Sequence, residues 1–444
     1  MTWARLRALL GSAASVGAGY LVLGGAGYLF LAVASRTFDE TAYSALTSVY
    51  LLVNIIGPGL FAAVEQETSR NVSTRLARGE DPRPVVRQLG MLSAGLFAGI
   101  AVITLALTPV LLPDVLHGNV VLLVGLLIAS ASYAVVSVTR GNFGGRHAFG
   151  RYGTSVGTEG TVRLVAGVVL AVLALAGAAV AGASSLYGLV FCVAPAVAVA
   201  LTARWFTSDL RGGRSVADVG PGVAAPIGPL IRSTGLLTVA WGLSLAIANA
   251  APVVVSALST DDAVIAAFAS AVVLARIPLF VFQGAQSLVL PSFARAAATA
   301  DSGALRRAVR PALLLVAAVG ALAILVSAVL GHWLGRIAFG PTFTSSNALV
   351  TALMVGTVAG MAVQIVQPAL LALGRHRWVA GGWVIGLIVF AASFLLPFEP
   401  VTDAVIAQLA SAAATIGVLG VVLFRALRPT GIPQPQEFSD VQPA

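Results

Sequence analysis

The 444-residue chain has no lysine, one cysteine and four histidines, and only 10% of its residues are charged. Each scarcity excludes something. A lone cysteine, Cys192 in an apolar run, rules out an intramolecular disulfide and a cysteine-built metal cluster. His117, His147, His332 and His376 lie in separate loops or span ends, and HExxH, GxSxG and P-loop patterns are all missing. The adjacent pair Asp261 and Asp262 reads as a solvated turn, not as the clustered carboxylates of a membrane glycosyltransferase. The expectation is therefore a protein that is not an enzyme, with no metal and no cofactor. Soluble domains carry about 25% charged residues, so a soluble fold is excluded as well. The lack of lysine, all 26 basic residues being arginine, reads as genome composition.

What is present is apolar. Hydrophobic residues make up 58% of the chain and the mean hydropathy is +0.95. Apolar runs near the ~20 residues needed to cross a bilayer recur along its length. They predict an all-α polytopic membrane protein with about twelve spans, near 9–34, 41–63, 89–111, 119–139, 153–180, 185–203, 230–258, 263–288, 310–334, 345–372, 379–397 and 404–424. The first run is much longer than a signal-peptide core and reads as a retained helix, despite the AVA before Ser35. With the N-terminus inside, twenty-one arginines, Arg140 among them, fall in inner segments and only Arg36 and Arg336 in outer ones. This bias places both termini in the cytoplasm. Basic residues scattered through short loops report topology, so the net charge of +9 does not imply nucleic acid.

A glycine- and proline-rich break over 208–229 reads as a cytoplasmic linker. It separates an N-lobe of six helices, 1–207, from a C-lobe of six, 230–428. The proline-rich end, 429–444, has too little apolar surface to pack and is expected to be a disordered cytoplasmic tail. Shifting the sequence by 225 residues lays 42–70 on 267–295 without a gap, Gly59 on Gly284 and Arg70 on Arg295. An even number of spans keeps both halves in one orientation, which predicts parallel-repeat lobes around a central cavity.

Polar residues inside the spans are the functional candidates, because intramembrane charge is costly. Arg276 lies roughly 20 Å into the eighth span at ~1.5 Å per residue, close to the midplane. It either faces a cavity and binds substrate or pairs with a buried acid or helix carbonyls. Gln283 and Gln286 follow it, and Pro278 predicts a kink. In the fifth span Arg151, Ser155, Glu159 and Arg163 recur at i+4. Glu159 serves as an ion-pair partner of Arg163 or in coupling; Arg163 contacts substrate or is neutralised by that glutamate. Asn54, Asn249, Gln364 and Gln367 are further cavity candidates, with interhelical hydrogen bonding as the alternative. Gly57, Pro58 and Gly59 read as a gate or a fixed kink.

The motifs SRTFDETAY (35–43), LPSFAR (290–295), FGPTF (339–343) and LALGRHR (371–377), in this order over two sets of six spans, resemble the multidrug/oligosaccharidyl-lipid/polysaccharide (MOP) flippase superfamily, and within it the polysaccharide-transporter or O-antigen-type (Wzx-like) branch. Asp39 and Ser44 stand where the first motif usually has glycine. The resemblance implies a MATE/MOP-like fold and a flippase that carries a polyprenyl-pyrophosphate-linked oligosaccharide across the bacterial cytoplasmic membrane by alternating access. Its partners would be that cargo, membrane lipids and other membrane proteins of polysaccharide synthesis. Guanidinium binds pyrophosphate bidentately, which suits Arg276 and Arg163, and the four glutamines suit sugar hydroxyls. The rival is a cation-coupled multidrug exporter of the same fold. Spans one, seven, eight and ten contain no Asp or Glu, which disfavours it.

Overall fold

The computed structural model describes residues 3–177, 183–211, 226–259, 262–279, 302–339, 343–396 and 398–427, with positions 282, 293, 296 and 297. The expected tail 429–444 lies outside the described residues, as do Gln283, Gln286 and most of the linker. The linker's edges belong to helices, one continuing to Arg211 and the next starting at Ile227.

The described residues form helices and no β-strand. In chain order they are α1 (Trp3–Thr37), α2 (Glu40–Asn54), a π-helical turn (Ile55–Phe61), α3 (Ala62–Ala77), α4 (Arg83–Ala106), a short α5 (Thr108–Val110), α6 (Val120–Gly145), α7 (Phe149–Leu175), α8 (Ser184–Arg211), α9 (Ile227–Leu258), α10 (Asp262–Ala275), α11 (Ser302–Phe339), α12 (Asn347–Ala372), α13 (His376–Ser393) and α14 (Pro400–Ala426). Eleven apolar segments among the described residues are long enough to span a bilayer, six before the linker and five after it. The eighth expected span is represented by α10 and a short apolar stretch, Ser270–Leu279. Lipid-facing character is plain on α11, where Leu314, Leu315, Leu322, Leu325, Val329 and Trp333 are exposed in one apolar belt. In water such a belt would be a liability; in hydrocarbon it is the required surface.

Caps explain where several helices begin. Asp39 accepts from Ala42 N at 2.7 Å to start α2, Asn119 accepts from Leu122 N to start α6, and Ser346 accepts from Leu349 N to start α12. Each satisfies an otherwise unpaired first-turn N–H. Asp39, which departs from the glycine of the family motif, thus serves as an N-cap.

Helices α1–α8 pack into one bundle and α9–α14 into another. Aromatic stacking of Phe30 with Tyr187 and Phe191, at centroid distances of 4.6 and 4.4 Å, anchors the first core. Two glycine seams bring polar helices together there. A Cβ at Gly153 or Gly160 of α7 would collide with the α1 backbone at Ser15 and Leu23. A Cβ at Gly141 or Gly145 of α6 would meet the α3 carbonyls of Glu65 and Ser69. Small residues at i and i+4 let membrane helices approach to backbone distance. In this protein the approach sets Glu65 beside Arg140.

Candidate functional site

The interior of the first bundle holds a compact charge cluster. Ser155, Glu159 and Arg163 share one face of α7, as their i+4 spacing requires, and Tyr133 and Arg140 share a face of α6 two turns apart. Glu159 is fully buried. It accepts from Tyr133 Oη at 2.5 Å and from Arg140 Nη2 at 2.7 Å, and pairs with Arg163 Nη2 at 3.0 Å. Arg140 also donates to the Ser155 hydroxyl and carbonyl, both at 3.1 Å. Arg163 donates to the Phe191 carbonyl at 3.2 Å and lies over the Phe191 ring, 3.9 Å from its centroid. Tyr152 donates to Glu65 at 2.5 Å and contacts Tyr20 at 2.9 Å. Two carboxylates face two guanidiniums, and every charge has a geometric partner. A buried pair with its remaining valences filled is stable where a lone buried charge is not.

Within this cluster Glu159 is the ion-pair partner of Arg163. The cluster also corrects the placement of Arg140. The fourth span was expected to end at 139, but α6 continues to Gly145 and buries Arg140 inside the bundle. Arg140 is not a loop arginine.

Gly57 belongs to the same construction. It lies in the π-helical turn containing Pro58, and a side chain there would overlap the Tyr133 ring. Gly59 faces Leu245 of α9, across the junction of the two bundles. Asn54 donates to the Tyr50 carbonyl of its own helix at 2.7 Å, where the α-helix passes into the π turn.

The junction itself is centred on Glu67 of α3, which is 1% exposed. Arg70 donates to it through Nε at 3.0 Å and Nη2 at 2.5 Å, and Asn71 donates at 3.1 Å. From the other bundle, Ser233 of α9 donates at 2.7 Å and His376 Nε2 of α13 lies 3.1 Å away. Leu230 packs nearby with Val85 and Leu89. One carboxylate thus ties three helices from both halves.

The second bundle has two apolar cores and, between its helices, a cavity. The cavity, of about 140 Å³, is walled by α9, the α10 break, α12, α13 and α14. Arg276, Gln364 and Gln367 line it, the last two one turn apart on α12. Around Arg276 the helix loses its regular bonding. Arg276 N bonds to Val273 O and Leu279 N to Arg276 O, both i to i−3. Pro278 has no N–H to give Leu274, which accounts for an interruption at this point. Arg276 donates to the Ala248 carbonyl and, at 3.3 Å, to Asn249 Oδ1. Asn249 also donates to the Leu245 carbonyl at 2.8 Å. Gln367 Oε1 accepts from Trp383 Nε1 at 2.9 Å.

Sequence reasoning missed other lining residues, among them Trp383 on α13, Trp241 on α9, and Gln408, Ser411 and Thr415 on α14. The last three sit at i, i+3 and i+7, a polar stripe in an apolar span that would have marked them. Trp241 Nε1, Ser411 Oγ and Thr415 Oγ1 are buried and lack a hydrogen-bond partner. Among the described residues no Asp or Glu lines the cavity and no group of three His, Cys, Asp or Glu could hold a metal.

This arrangement of helices is the MATE fold of the MOP transporters. The structure superposes on a mutant form of the Vibrio cholerae MATE transporter VcmN with a TM-score of 0.76, covering 95% of this chain and 96% of that one at 14% identity. A MOP superfamily transporter of Pyrococcus furiosus, described by the reverse polarity of its binding pocket, matches with a TM-score of 0.73 at 16% identity, covering 94% and 95%. In sequence, the uncharacterized protein Rv1510 of Mycobacterium tuberculosis (strain H37Rv) is 27% identical over 428 residues, 94% of this chain and 92% of its own length. The uncharacterized protein Mb3654 of Mycobacterium bovis is 35% identical over 121 residues, 27% of this chain and 28% of its own. No protein-family model matches. The chain is a multi-pass membrane protein with a MATE-like fold.

Proposed function

We propose that the protein is a flippase that moves a polyprenyl-pyrophosphate-linked oligosaccharide across the bacterial cytoplasmic membrane by alternating access, with both termini in the cytoplasm. The observation that carries this reading is the chemistry of the second bundle's cavity, which its described residues line with a guanidinium, amides and hydroxyls and no carboxylate. A site for organic cations would need the opposite charge. Arg163 is engaged by Glu159 and Phe191, so contact with the pyrophosphate falls to Arg276, whose partners include a helix carbonyl and an amide. A guanidinium's hydrogen bonds to an anionic acceptor are stronger than those to a carbonyl or an amide. The positive-inside pattern puts the Glu67 junction at the cytoplasmic side. There it closes the two bundles together, as an outward-open state requires.

In a host lacking its own copy of the gene, Arg276→Ala is expected to abolish polysaccharide output while protein abundance stays at the parent level. Normal output from that variant contradicts the reading. A drug-efflux assay in a sensitised host tests the multidrug alternative, which predicts resistance conferred by the parent chain.

A further inference from the structure

On an exposed face of the second bundle, the start of α13 and the end of α14 leave a groove of about 430 Å³ between them. Gly417, Val421 and Arg425 of α14 line it at i+4 steps, a row of roughly 12 Å that runs from apolar to charged. Val422 widens the apolar part, and α13 contributes Arg375 and the half-exposed Trp378. A Cβ at Gly417 would meet nothing within 4 Å, so the groove is open at this point. The backbone of Arg375 is held in place: Gly374 stands in the left-handed region at φ 69°, and Arg375 N donates to the Leu370 carbonyl at 2.8 Å.

Two guanidiniums share this groove, and among the described residues no carboxylate lines it. α13 contains no Asp or Glu, and on α14 Asp403 lies roughly 33 Å from Arg425 along the helix. Arg425 suits the C-terminal end of α14, but Arg375 is the N-cap of α13, where the helix dipole disfavours positive charge. An anion between them would relieve that cost. A free phosphate would use the arginines and leave the valines and the indole bare. A phospholipid uses both: its phosphate suits guanidinium, its acyl chain suits the apolar row, and tryptophan collects at headgroup level. Arg375 directly precedes His376, a member of the Glu67 junction, so the positive-inside pattern puts the groove at the cytoplasmic side. Basic pockets between helices on that side suit anionic headgroups.

We propose that this groove is a binding site for an anionic phospholipid of the cytoplasmic leaflet. Arg375 and Arg425 hold its phosphate, Trp378 flanks the headgroup, and an acyl chain lies over Gly417, Val421 and Val422. A headgroup with net negative charge is preferred to a zwitterionic one, whose own cation would face the two guanidiniums. The groove shares no lining residue with the cavity of Arg276, so the site stands apart from the cargo and from the flippase reading.

The test is native mass spectrometry of the full chain, titrated with palmitoyl-oleoyl phosphatidylglycerol or with the phosphatidylcholine of identical acyl chains. Phosphatidylglycerol is expected to bind about tenfold tighter. Arg375→Gln combined with Arg425→Gln should bring that ratio close to one; both side chains are exposed, so the fold survives. Arg306→Gln combined with Arg310→Gln removes two exposed arginines of α11 outside the groove and should leave the ratio unchanged. Gly417→Leu fills the open point without touching a charge and should weaken phosphatidylglycerol several-fold. Equal affinity for the two lipids overturns the proposal. So does a preference that survives the loss of Arg375 and Arg425, or one that falls as far in the α11 pair, which would mark general attraction to a basic surface. Parent-like binding by Gly417→Leu places the acyl chain elsewhere and overturns the groove. Glycerol 1-phosphate binding as tightly as the whole lipid would make this a phosphate site and overturn the lipid assignment.

Discussion

The two bundles bury polar groups in opposite ways. In the first, Glu159 meets Tyr133, Arg140 and Arg163, and Glu65 meets Tyr152. The cluster is packed solid and balanced in charge. In the second, one guanidinium, three glutamines and four serine or threonine residues line a cavity. A charge network that satisfies itself holds helices together; polar side chains lining a void can meet a ligand. Intramembrane charge is a functional signal by default, yet the bundle richer in buried charge is the one whose groups are already occupied.

The difference is sharpest under mutation. Glu159→Ala strands Arg140 and Arg163 in the interior, and breaking a buried pair in this way typically costs about 3–5 kcal/mol. Thermal unfolding followed by size-exclusion chromatography should show a large drop in midpoint or failure to accumulate; a parent-like midpoint would mean that the cluster is not structural. Glu67→Ala addresses the junction between the regions. With the only native thiol, Cys192, fully buried, a maleimide should label Leu230→Cys in the purified protein several-fold faster once Glu67 is removed. Equal rates would show that the carboxylate does not hold the bundles closed. A smaller effect is expected of Gly57→Ala. Its methyl overlaps the Tyr133 ring, and overpacking of this kind costs about 1–3 kcal/mol. An unchanged midpoint would show that the π turn yields without disturbing Tyr133.

Much of this architecture was legible in the sequence, because span length and hydropathy are imposed by the bilayer. The ladder on α7 was legible too, since i+4 spacing needs no tertiary information. Arg276, Gln364 and Gln367 were singled out separately, and the fold brings them to one cavity. Arg140 was misread because hydropathy cannot tell where a helix ends once polar residues begin; α6 runs six residues beyond its apolar part, to Gly145. Glu67 was visible as an acid at a span end, but its partners Ser233 and His376 lie more than 160 positions away. The tryptophans carry no periodic signal in an apolar span and become a site only when α9 and α13 face each other. Gln408, Ser411 and Thr415 did carry one, at i, i+3 and i+7.

The central claim, that buried charge in the first bundle serves the fold and the arginine of the second serves the cargo, is tested most directly by measuring thermal midpoint and farnesyl pyrophosphate affinity for Arg140→Ala and Arg276→Ala side by side. The account predicts that Arg140→Ala unfolds far below the parent, whereas Arg276→Ala keeps a near-parent midpoint and loses binding by at least tenfold. An Arg276→Ala protein as unstable as Arg140→Ala, or one that binds as tightly as the parent, would contradict it.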